Sequence, residues 1–289
     1  MLEDRPLSEP VSRKPETETV ALPKPIMVWQ DLLSQIKPVP DATIKYGTDA
    51  LQVIDVWQPK GAGPHPAVIM IHGGCWQTAI AERDIMNWIA DDLRSAGVGV
   101  WNIEYRGVDC GGGYPATYLD VALAADMFAA RRAEFGFLTD GPVVAIGHSA
   151  GGHLALWLAR RPRLEKGDAL RGSAPLQLDL AISQGGLPDL RAQTMLPDHP
   201  CGADAAIAMA GGEFASTSPP EMLYTRAREL QFNNDLDHIA PPAFGASYGV
   251  EMVTTPGEGH VELIAPDSVS WGKQRRVIMQ TFGLDGQTQ

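Results

Sequence analysis

From residue 43 onward the chain alternates short runs of β-branched and apolar residues with longer segments whose apolar positions recur every three or four residues. The short runs predict strands near 43–46, 51–57, 67–71, 97–103, 143–146, 176–182, 230–233 and 251–254. The helical spacing predicts helices over 81–96, 115–135, 150–161, 242–248 and 267–282, with 185–228 less regular and helical in pieces. This alternation is the pattern of an α/β fold, an eight-stranded, mostly parallel sheet with helices on both faces. Only Gly47, Thr48 and Asp49 separate the first two strands, too few for a crossover helix, so that pair is expected to be antiparallel.

The start of the chain reads differently. Pro6, Pro10, Pro15, Pro23, Pro25, Pro38 and Pro40 forbid a continuous helix or a central strand, which predicts an extended arm over 1–41. One stretch interrupts the arm: Trp29, Leu32, Leu33 and Ile36 fall at i, i+3, i+4 and i+7, a short amphipathic helix that docks on the body or covers a cleft. Residues 42–289 contain no repeat or long linker and read as one domain.

Apolar residues at 44% and charged residues at 20% place the chain among ordinary soluble globular proteins. Its 23 Lys and Arg against 35 Asp and Glu leave a formal net charge of −12, which argues against nucleic acid and against anionic membrane surfaces as partners. No apolar run approaches the roughly 18 residues of a membrane span. The opening Met1-Leu2-Glu3-Asp4-Arg5-Pro6 lacks the basic start and apolar core of a signal peptide. Cys75, Cys110 and Cys201 are odd in number and far apart, so neither a disulfide framework nor a metal knuckle is expected, and a reducing, cytoplasmic compartment fits. Nothing in the sequence calls for a metal or an organic cofactor. A small molecule is the expected partner, and a homodimer stays open.

The chemistry concentrates in four places. An apolar strand runs into Gly147-His148-Ser149-Ala150-Gly151 and then into a helix. A serine held on so tight a strand-to-helix turn needs glycine on either side, and Ser149 is the candidate nucleophile. The strand at 67–71 runs into His72-Gly73-Gly74-Cys75-Trp76, whose small residues let backbone N–H groups converge on an oxyanion together with the N–H of Ala150. Gly73 and Gly74 are the expected donors and His72 a structural imidazole. Cys75, Trp76, His148 and Tyr114 are candidate pocket residues, with packing under the loop as the other reading of Trp76 and a small buried hydrophobe as that of Cys75.

A serine nucleophile needs a base, and His260 sits in the small-residue loop Thr255-Pro256-Gly257-Glu258-Gly259 that follows the last strand. His153 lies four residues past Ser149 on the same helix and points into packing, while His65 and His199 lack a supporting pattern. The orienting acid is expected after the penultimate strand. Asp237 is preferred, because Asp237-His238-Ile239-Ala240-Pro241 leads into a new helix, and Asp235 is the alternative, as a turn cap. Arg106 is expected to pair with a carboxylate such as Asp120.

The motifs HGGCW, GHSAGG, DHIAP and GEGHVELIAP, in this order, resemble the α/β-hydrolase superfamily, and within it the branch of small bacterial esterases, kynurenine formamidase-like enzymes and prolyl-oligopeptidase-type catalytic domains. The resemblance spans about residues 42–283. It implies a triad of Ser149, Asp237 and His260 and an oxyanion hole at Gly73, Gly74 and Ala150. The sequence departs from that pattern at Cys75, where formamidases often carry an aromatic residue, and at Asn233-Asn234, which stand where the family usually reads His-Gly. The expected activity is hydrolysis of a carboxylic ester with a small or medium acyl group. The alternatives are an arylformamidase or small-amide hydrolase and, from another class, a ligand-binding protein that keeps the fold without the chemistry. The 1–41 arm and the 185–228 segment are the candidates for a cover.

Overall fold

The computed structural model describes residues 25–196 and 198–285. The proline-rich reading of the first 24 residues therefore lies outside the described residues. Eight strands form one sheet in the order β1-β2-β4-β3-β5-β6-β7-β8. They are β1 (Ala42–Lys45), β2 (Val53–Trp57), β3 (Ala67–Ile71), β4 (Gly99–Ile103), β5 (Val144–His148), β6 (Leu180–Gln184), β7 (Arg228–Phe232) and β8 (Glu251–Val253). β1 and β2 pair antiparallel as expected, and β2 also runs antiparallel to β4, while every pair from β4 through β8 is parallel.

The helices are α1 (Trp29–Leu33), α2 (Asn87–Ser95), α3 (Ala116–Arg131), α4 (Ala150–Arg160), α5 (Leu190–Thr194), α6 (Ala203–Ala210), α7 (Phe214–Thr217), α8 (Pro242–Ala246) and α9 (Val269–Thr281). Every residue of β3, β4, β5 and β6 is buried, as parallel strands covered on both faces require. Alternate side chains divide the core in two. Ile69, Ile71, Trp101 and Ile103 pack with α3 and α4, whereas Val68, Met70 and Val100 pack with α2 and α9. The strand that departs most from its expected span is β6, which starts at Leu180, with the buried Leu176 and Leu178 before it in an irregular segment.

Parallel strands direct their carboxyl ends to one edge of the sheet, and the turns that leave β3, β5, β7 and β8 meet there. Those turns hold His72 to Trp76, Ser149, Asp237 and His260.

Candidate active site

The turn between β5 and α4 holds Ser149 at φ 53° and ψ −120°, a left-handed conformation that costs a side-chain-bearing residue energy. Its flanking glycines are explained by distance. A Cβ on Gly147 would lie 2.0 Å from the Gly151 carbonyl oxygen, and one on Gly151 would lie 2.2 Å from that of Ile71. The Ser149 N–H donates to the Gln184 carbonyl at 2.8 Å, which ties the turn to the end of β6.

His260 is held by a carboxylate. Its Nδ1 lies 2.6 Å from Asp237 Oδ2, and Asp237 Oδ1 accepts the N–H groups of Ile239 at 2.8 Å and Ala240 at 2.7 Å. With Nδ1 engaged as donor, Nε2 is left to accept. Asp235 does the other job open to it: its Oδ1 accepts the Gly257 N–H at 2.7 Å, joining the acid loop to the base loop. The unexpected Asn234 contributes as well, donating from Nδ2 to the Gly259 carbonyl at 2.8 Å. Its signal in the sequence was the departure from His-Gly.

Ser149 and His260 line one cavity of about 200 Å³ together with Gly74, Cys75 and His148. The rest of its wall is Trp29, Leu33, Ile80, Ala81, Ile85 and Ile239. Among the described residues no Lys, Arg, Asp or Glu lines it. His148 is buried against His260, with ring centroids 4.4 Å apart and its Nε2 donating to the His260 carbonyl at 3.2 Å. Burial first, and then His260 beside it, hold the His148 imidazole well below the usual histidine range, so it stays neutral.

The turn after β3 runs against the serine. A Cβ on Gly73 would come within 2.9 Å of Ser149 Cβ. The loop and cap hydrogen bonds among the described residues leave the N–H groups of Gly73, Gly74 and Ala150 unused. His72 braces this turn: Nε2 is 2.7 Å from Glu104 Oε1, Nδ1 is 2.7 Å from the Gly73 carbonyl oxygen, and the ring stacks on Tyr105. Burial raises the pKa of the Glu104 carboxyl, but the adjoining His72 and the N–H groups of Arg83 and Tyr105 outweigh it and hold the group below its ordinary range.

Three expectations need correction. Cys75 is not an isolated small hydrophobe, because it forms a disulfide with Cys201 across 126 residues, with Cα atoms 5.0 Å apart. The segment between β6 and β7 folds back over the turn after β3 and brings the two together, which spacing along the chain could not reveal. Cys110 is the free cysteine among the described residues, and it is exposed. Trp76 is no pocket wall: it is fully buried and packs edge-on to His153, with centroids 5.6 Å apart, under the loop. Tyr114 lines a separate cavity of about 650 Å³ with Arg160 and Asp168, away from Ser149.

The placements of His153 and Arg106 agree with expectation. His153 is buried and donates from Nε2 to the Thr217 carbonyl at 2.8 Å, and burial pushes its pKa down to about 4. Arg106 grips Asp120 with two bonds of 2.8 Å. Among the described residues no group of three or more His, Cys, Asp or Glu is arranged to hold a metal, and no helix is long and apolar enough to cross a membrane.

Residues 54–200, half of the chain, match BD-FAE, a family of the α/β-hydrolase type. The chain belongs to the BD-FAE family. Solved structures resemble this BD-FAE chain in fold. A truncated carbohydrate esterase from gut microbiota superposes with a TM-score of 0.67 at 18% identity, covering 85% of this chain and 98% of that one. Esterase B from Lactobacillus Rhamnosis gives 0.70 at 17%, covering 89% and 90%. Esterase 2 of Thermogutta terrifontis, phosphonylated by sarin, gives 0.69 at 18%, covering 84% and 95%. No curated protein matches the chain.

Proposed function

We propose that the protein is a serine hydrolase of carboxylic esters with a small or medium, uncharged acyl group. The observation that carries this reading is the Asp237 to His260 bond of 2.6 Å, made on Nδ1 of a histidine that lines the same cavity as Ser149. In the proposed reaction His260 Nε2 takes the Ser149 proton as Oγ attacks the ester carbonyl. The oxyanion is met by N–H groups of Gly73, Gly74 and Ala150. His260 then returns the proton to the alkoxide, the alcohol leaves, and a water activated by the same nitrogen releases the acid from the acyl-enzyme. Asp237 stabilises the imidazolium and fixes its tautomer.

The cavity lining supports an ester over an amino-acid formamide. N-formylkynurenine, formylated on its aryl amine, brings an ammonium and a carboxylate, and among the described residues the lining has no charged side chain for either. The names of the three structural neighbours above, each an esterase, point the same way. The Cys75 to Cys201 bond supports an oxidising compartment in place of the cytoplasm expected from unpaired cysteines.

The test is turnover of short p-nitrophenyl esters and covalent labelling by a fluorophosphonate, with Ser149→Ala as the blank. Ser149→Ala is expected to lower kcat by about 10³-fold or more and to abolish labelling. Near wild-type turnover in that variant, or labelling that does not require Ser149, sinks the assignment. Comparing kcat/KM for N-formylkynurenine and the ester separates the formamidase alternative, and the ester is expected to win.

A further inference from the structure

Residues 26–37 cross the mouth of the site as a strap fastened at both ends. At its start the Met27 N–H donates to Glu262 Oε1 at 2.5 Å, while the other oxygen of that buried carboxylate accepts the Gly259 N–H at 3.0 Å, next to His260. At its end Lys37 Nζ lies 2.6 Å from Asp84 Oδ2, and Asn87 Nδ2 donates to the Pro38 carbonyl at 2.9 Å. Between these anchors runs α1. Leu32 turns into the core, while Trp29 and Leu33, four residues apart on one helix face, turn over the cavity.

Trp29 stands edge-on to both histidines of the site, its ring centroid 6.0 Å from that of His148 and 6.1 Å from that of His260. Across the cavity are Ile80, Ala81 and Ile85, from the segment that follows the oxyanion turn. The enclosed space of about 200 Å³ is smaller than the roughly 300–1,000 Å³ of sites that take drug-sized ligands. Trp29 is the largest side chain on the wall of that space.

We propose that Trp29, delivered by the N-terminal strap, is a specificity-determining residue that sets the upper size limit on the substrate group bound in the cavity. The proposal rests on the ester-hydrolase reading of Ser149 and His260. Trp29 takes no proton and holds no charge; it acts by excluding volume. Extra methylenes meet the indole, and a smaller side chain at position 29 admits them. Because α1 is held by its own anchors and by Leu32, shortening Trp29 leaves the strap in place.

The experiment measures kcat/KM for two series of esters, one with the acyl chain extended from acetyl to octanoyl on a fixed alcohol and one with the alcohol extended on a fixed acetyl. The proteins are wild type, Trp29→Phe, Trp29→Ala and Leu33→Ala, with Ser149→Ala as blank. In at least one series the ratio of the longest to the shortest ester is expected to rise about tenfold or more in Trp29→Ala. Trp29→Phe should fall between Trp29→Ala and wild type, and the change should appear mainly in KM for the long esters. A lost anchor or a merely structural indole lowers all esters together and leaves the ratio alone. An active wild type whose ratio is unchanged by Trp29→Ala and Trp29→Phe in both series overturns the role of Trp29. A wild type without Ser149-dependent turnover of the acetyl esters overturns the hydrolase reading instead, and the proposal with it.

Discussion

Asp237 and His260 are bonded at 2.6 Å through Oδ2 and Nδ1, although the two residues reach the site on different loops, after β7 and β8. Two aspartates stand two residues apart on the first of those loops, and only one faces the imidazole. The other, Asp235, closes the loop onto Gly257. The pair therefore separates the aspartate that holds the histidine from the one that closes the loop.

Asp237→Asn is expected to lower kcat for a good ester by roughly 10³- to 10⁴-fold while the protein stays folded, because the amide no longer holds the Nδ1 proton. Asp235→Asn should keep kcat within about tenfold of wild type. Steady-state kinetics on both variants, with circular dichroism as the folding control, decides between them, and the reverse ranking would make Asp235 the acid.

The disulfide closes a loop of 126 residues, so it removes much of the freedom of the unfolded chain. Replacing both Cys75 and Cys201 by serine should cost about 3–5 kcal/mol of unfolding free energy. Cys110→Ser should change it by less than about 0.5 kcal/mol, since that thiol is exposed and free. Urea titrations with the slope fitted for each variant report both numbers, and the double variant should show the steeper slope. A double variant as stable as wild type would mean that the two sulfurs are not joined in solution.

Buried histidines predict acid sensitivity. The pKa of His153 is pushed down to about 4 and that of His148 well below its ordinary value, both chiefly by burial. Below about pH 6.5 the unfolded chain therefore binds protons that the native state refuses, and stability falls as pH falls through that value toward 4. For His153 alone the loss amounts to about 3 kcal/mol by the lower end of the window. Glu104 adds to the loss only in the carboxylate range, because its lowered pKa matters below its ordinary value. Unfolding midpoints at pH 7.5, 6 and 5 should decline, and His153→Gln, which keeps a donor for the Thr217 carbonyl, should flatten the decline. Midpoints that do not move between pH 7.5 and 5 would contradict the burial argument.

Two glycines make a paired control on the turn. A Cβ on Gly151 meets the carbonyl oxygens of Ile71 and His72 at 2.2 and 2.4 Å, backbone that cannot swing aside. Gly151→Ala should cost more than about 3 kcal/mol or prevent folding. Gly272, on the exposed face of α9, has nothing within 4 Å of such a Cβ, so Gly272→Ala should stabilise by about 0.5–1 kcal/mol. Thermal melts of both variants test the contrast, which fails if the two shift in the same direction.

What was legible in the sequence was local. The alternation of apolar runs marks the eight strands because a sheet buried on both faces needs unbroken apolar segments. Ser149 and the HGG turn were legible because a tight turn needs small residues at fixed offsets. His260 was legible because it ends a short loop off the last strand. The rest depended on segments distant along the chain meeting in space. Asp237 was separated from Asp235 only by the direction in which its loop turns toward His260. Cys75 found Cys201 because the segment between β6 and β7 folds back over the turn after β3. Trp76 went inward and Tyr114 to another cavity because backbone direction in a loop, unlike the period of a helix or strand, leaves no trace in hydrophobic pattern. Trp29 read first as a docking residue and second as a cover, and its place over His148 and His260 was decided by anchors on Glu262, Asp84 and Asn87. A sequence pattern records which residues must be buried, while the choice of neighbour is made by the packing that closes the long loops between them.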